Sequence, residues 1–81
     1  MDSKQEDIYS TRDLGESSLL LSKKQKLLRL ERQSNTVYFI FADRKTCEML
    51  SNQFFFGVCL VNAKTYFEAI QTLKNRIFSE R

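Results

Sequence analysis

The spacing of apolar residues changes repeatedly along this chain, and each change predicts an element. Residues 7–11 (Asp-Ile-Tyr-Ser-Thr) suit a short strand, β1, with Ile8 and Tyr9 as its apolar content. Leu14, Ser17, Ser18 and Leu21 then recur at helical spacing with Leu20 beside them, predicting helix α1 over about 12–22. Ser10 or Thr11 would cap it, and Ser10 with Asp13 is a variant capping box with a carboxylate in the first turn. Gly15 costs this helix about 1 kcal/mol relative to Ala, while the small Ser17 and Ser18 let it approach a sheet closely. Over 26–33 the period drops to two. Leu28 and Leu30 face one way and Arg29 and Glu31 the other, a half-buried strand β2. Ser34-Asn35 signals a turn, because Asn tolerates left-handed backbone.

Residues 36–42 (Thr-Val-Tyr-Phe-Ile-Phe-Ala) carry the strongest strand pattern, β3. Val37, Phe39 and Phe41 point to one face, Tyr38 and Ile40 to the other. A strand apolar on both faces belongs inside a sheet. Asp43 is a natural N-cap for helix α2 over about 44–56, with Cys47, Met49, Leu50 and Phe54 expected inward. Gly57 supplies the left-handed stop, and Val58 to Val61 read as a brief edge strand. Asn62 caps helix α3 over about 63–79, where Tyr66, Phe67, Ile70, Leu73 and Ile77 recur at three and four residues.

The order β1-α1-β2-β3-α2-α3, with β2 and β3 as a hairpin and β3 central, predicts an α+β domain. Its small, mainly antiparallel three-stranded sheet has the order β1-β3-β2, with three helices packed on one face. Residues 1–6 are polar and expected to be disordered, leaving 7–81 as one domain. At 81 residues the chain has room for a single small core.

Composition narrows the possible functions. There is no His, Pro or Trp. No apolar run reaches a membrane span, and the acidic start does not resemble a signal peptide, so a cytoplasmic protein is expected (host cytoplasm if phage-encoded). Cys47 and Cys59 lie in apolar surroundings and are expected to be reduced core residues. Without His or a CxxC pair they make no metal site. The net charge of +3 is unevenly spread. Residues 1–16 hold five acids and two bases, a balance of −3, and residues 17–81 hold eleven bases and five acids, a balance of +6. A basic body favours polyanionic partners.

Ile8 to Leu14 (Ile-Tyr-Ser-Thr-Arg-Asp-Leu), Val37 to Phe41, Phe54 to Gly57, and the stretch from Val61 to Phe78 ending Leu-Lys-Asn-Arg-Ile-Phe resemble a small domain-of-unknown-function family, catalogued as fifty-six fifty-nine. Its members are short proteins of phages and uncultured bacteria. The resemblance covers about residues 8–79 and implies a short chain of mixed strands and helices, with no established activity. This chain departs from it at Ser17 and Ser18, where the family tends to have Ala, and at Lys24, where it has Gly after the first helix.

Catalysis needs a proton shuttle, nucleophile or metal held in a cleft. Asp13, Asp43 and Glu48 qualify by type, but Asp13 and Asp43 read better as helix-start residues. Cys47 near the start of α2 could have its thiol activated by the helix dipole, although its apolar surroundings argue for packing. No phosphate loop is present, and neither enzyme, cofactor nor small-molecule substrate is expected. Two binding surfaces are. Lys23, Lys24, Lys26, Arg29 and Arg32 place five bases in ten residues. With Tyr38 on the outer sheet face, they form a candidate site for DNA or RNA. Phe54, Phe55 and Phe56 cannot all turn inward from one helix, because each step rotates about 100°. With Phe78 they form a candidate protein interface, in a homodimer or against a larger complex, with Phe55 and Phe78 expected to face water.

Overall fold

A computed structural model describes residues 7–57 and 59–79. The expected disorder of residues 1–6, and Val58 of the brief strand, lie outside them. The elements are β1 (Ile8–Thr11), α1 (Leu14–Ser22), β2 (Leu27–Gln33), β3 (Thr36–Ala42), α2 (Arg44–Phe55) and α3 (Ala63–Ser79). The sheet order is β1-β3-β2, with β3 antiparallel to both neighbours. Doubly apolar β3 is central because only there can both its edges pair and both its faces be shielded. Phe39 and Phe41 meet Leu20 of α1, Cys47 of α2 and Leu73 of α3 in the core, so the three helices share one face of the sheet. By strand alternation Ile8, Ser10, Arg29, Glu31, Tyr38 and Ile40 belong to the other face.

Helix α1 starts two residues later than expected. Asp13, rather than Ser10 or Thr11, is its N-cap and accepts a hydrogen bond from the Glu16 N–H at 2.8 Å. Glu16 through Leu20 are five consecutive buried residues. At about 100° per residue they span the whole helix circumference, so α1 is enclosed on every side. Gly15 lies at a close approach. A Cβ there would stand 3.3 Å from the Asp13 carboxylate and 3.4 Å from the Tyr66 hydroxyl, which donates to the Gly15 carbonyl. The helix propensity lost at Gly15 permits tight contact between α1 and α3. After α1 the chain turns through Lys24 at φ +72°, a left-handed conformation that favours Gly.

Three expected orientations are overturned. A bulge between Leu27 and Arg29 inserts one residue into β2. Leu27 and Leu30 therefore pack against the core, and Leu28, expected inward, is 39% exposed. Met49 faces water because Cys47, Leu50 and Ser51 already fill the inner side of α2. Phe67 is exposed because Ala69 and Leu73 are the buried positions of α3, and Phe67 lies off their line. Cys59 to Val61 do not form a strand. The left-handed residue of the β2–β3 turn is Ser34 rather than Asn35.

Candidate interaction surface

The basic residues are dispersed by the fold. Lys23 is the C-cap of α1, and its ammonium donates to the Leu60 carbonyl, clipping the α2–α3 link to the end of α1. Lys24 and Lys26 are exposed in the turn that leads into β2. Arg29 donates to Glu31 at 2.7 Å on the outer sheet face. Its register partner there is the buried Ile40, with Glu31 opposite Tyr38. Arg32 pairs with Val37, which alternates with Phe39 and Phe41, so Arg32 belongs to the helix-bearing face. Arg29 and Tyr38 thus share a surface that Arg32 does not.

The aromatic run divides in the opposite sense. Phe54 turns inward, its ring tip against Gly15, and packs edge-to-face on Phe55 with centroids 5.3 Å apart. Phe55 is 62% exposed and Phe56, the C-cap of α2, 80% exposed. Gly57 at φ +73° reverses the chain, and Leu60 follows at 87% exposed with Val61 partly so. Asn62 restarts the helix by accepting from the Thr65 N–H at 3.0 Å. Phe67, five residues further on, is 60% exposed. Exposed apolar side chains of the end of α2, of Leu60 and Val61, and of the first two turns of α3 thus lie along one chain reversal, an apolar corner. Phe78 is also exposed, but eleven helical residues beyond Phe67 it lies about 16 Å along the axis.

Of the four phenylalanines expected at an interface, only Phe55 and Phe56 reach the corner. Leu60, Val61 and Phe67, assigned elsewhere from sequence, complete it. A signal for Phe67 was present. Tyr66, Ile70, Leu73 and Ile77 already make a full inward stripe, and Phe67 and Phe78 fall together on its flank, eleven residues or three turns apart.

The sequence also gave no sign of a buried polar cluster beneath α1. The Glu16 carboxylate, 4% exposed, accepts from the Tyr9 and Thr11 hydroxyls at 2.6 Å each and from Ser51. Burial, then the bond to Glu16, raises the Tyr9 phenol above its ordinary value. Burial, then the Asp43, Glu16 and Asp7 carboxylates, pushes the Cys47 thiol up to about 11, so it is protonated at neutral pH. The helix dipole that could have activated this thiol is outweighed. Asp13 and Asp43 serve as N-caps, and Glu48 accepts from Arg44 at 2.8 Å. Both cysteines are free, but only Cys47 is a core residue; Cys59, expected there too, is partly exposed because it lies in the link between α2 and α3. Among the described residues there is no group of three His, Cys, Asp or Glu able to hold a metal, and no helix long and apolar enough to cross a membrane.

No family model matches the chain, and no curated protein or solved structure proves similar to it.

Proposed function

We propose that this protein is a non-enzymatic interaction module that docks another protein through the corner of Phe55, Phe56, Leu60, Val61 and Phe67. The observation that carries the reading is the exposure of three phenylalanines and a leucine around one chain reversal. Phe55, Phe56 and Phe67 together leave the equivalent of about two whole aromatic side chains in water, roughly 300–500 Å² at ~150–250 Å² each. Leu60 and Val61 raise this to roughly 400–700 Å², while the largest apolar patch on a typical monomer is ~300–600 Å². Aromatic residues are the usual anchors of protein interfaces.

An apolar fluorescent dye tests the reading at low micromolar protein. It should bind the folded chain, and Phe56→Ser with Phe67→Ser should remove the signal while circular dichroism is unchanged. Failure of the dye to bind, or binding that survives both substitutions, would show that the corner is not an open surface.

The second reading is nucleic-acid binding, in the phage or mobile-element setting that the family resemblance implies. It is favoured by Arg29 and Tyr38 sharing one sheet face. The Arg29–Glu31 pair and the separation of Arg32 count against it. This reading expects gel shifts with DNA or RNA that fall steeply with salt. Charge reversal of Lys26, Arg29 and Arg32 together should abolish them.

A further inference from the structure

Resting on the docking reading, we infer that the occupant of the corner is a second copy of this chain, related by a two-fold axis through the patch. Three observations support a copy rather than an unlike partner. The first is area. A stable interface takes about 800 Å² from each partner, and the corner offers roughly half or more of that as apolar surface before its polar rim is counted. A copy brings an equal apolar patch to it.

The second is charge. Lys64 and Glu68 flank Phe67 on α3, are both exposed, and stand 4.0 Å apart. A rim holding both signs is self-complementary under a two-fold rotation, since each Glu68 can meet the copy's Lys64. A partner of a single sign would be attracted by one of the two and repelled by the other, with no net gain. The net charge of +3 per copy opposes association weakly, because solvent screening confines it to about 8 Å at physiological salt.

The third is size. Chains near this length commonly add a disulfide, a metal or a second subunit to a small core. Here both cysteines are free, and the core of described residues centres on Leu20, Phe39, Phe41, Cys47 and Leu73. Pairing at the corner would bury the aromatic surface that one copy leaves in water.

Sedimentation equilibrium from low micromolar to near-millimolar protein tests this, together with a short bismaleimide cross-linker. Cys59 lies within the corner, while Cys47 is buried with its thiol pushed up to about 11, so only Cys59 reports. The expected results are a reversible dimer, a cross-linked dimer through Cys59, and at least about 30-fold weaker association in Phe56→Ser/Phe67→Ser. A dimer that survives both substitutions overturns the inference. A chain that stays monomeric at every concentration and still binds the apolar dye overturns the second copy but leaves the docking reading intact. A monomer that does not bind the dye overturns both. If the double variant fails to fold, absence of a Cys59 cross-link in the unaltered dimer overturns the placement on its own.

Discussion

Glu16 offers the sharpest test of how this fold is held together. Its carboxylate sits inside the molecule between β1, α1 and α2, accepting from Tyr9, Thr11 and Ser51. Replacing it with Gln keeps the size but substitutes an amide NH2 for one acceptor oxygen. One hydroxyl then faces a donor, and the remaining bonds lose the charge that roughly doubles their strength. Ser51 is buried and has no easy access to water, whereas Tyr9 and Thr11 are half-buried and can recover part of their hydration. A buried unsatisfied hydroxyl costs about 1–3 kcal/mol, so Glu16→Gln should cost about 2–3 kcal/mol in all. A chain of this size has roughly 4–12 kcal/mol of total stability. The melting midpoint, followed by circular dichroism at fixed protein concentration, should fall by roughly 10–20 °C. The control is Glu48→Gln, which breaks the exposed Arg44–Glu48 pair and should cost under about 1 kcal/mol. Tyr9→Phe and Ser51→Ala should each cost about 1–2 kcal/mol, and less in the Glu16→Gln background, because the partner they lose is already impaired. Equal midpoints for Glu16→Gln and Glu48→Gln would refute the claim that a buried, fully partnered carboxylate joins these three elements.

Stability should also fall in alkali. Between about pH 9 and about 11 the unfolded chain releases a Cys47 proton that the folded chain keeps, so the folded state binds more protons and loses stability as pH rises. The Tyr9 phenol acts in the same direction above its ordinary value of 10.0. Urea midpoints measured across that range should decline, and Cys47→Ala should flatten the decline; an unchanged slope would exclude the thiol as its source. Lys24→Gly should raise the melting midpoint by a few degrees, about 0.5–1 kcal/mol, by relieving the left-handed backbone at φ +72°, whereas Lys24→Ala should not. In urea titrations Leu30→Ala should cost about 2 kcal/mol and Leu28→Ala under about 1 kcal/mol, whereas without the bulge in β2 both would face inward and cost about the same.

Local chemistry made much of the architecture legible. Thr36 to Ala42 carries β-branched and aromatic side chains on both faces, which suits only a central strand, and that strand sets the order β1-β3-β2. Asp43, Gly57 and Asn62 end or begin helices through bonds and backbone angles set within three or four residues, so the sequence alone placed them. Tertiary structure decided the rest, because those choices depend on partners far along the chain. Glu16 reads as an ordinary first-turn acid until Ser51, thirty-five residues away, is brought onto it. Met49 and Phe67 turn outward because other residues already fill the limited space behind the sheet. The bulge reassigns Leu28 because one inserted residue inverts a period of two. The basic run is scattered while the aromatic corner is gathered, because strand alternation sends adjacent charges to opposite faces and a helix–link–helix reversal folds its apolar residues back together.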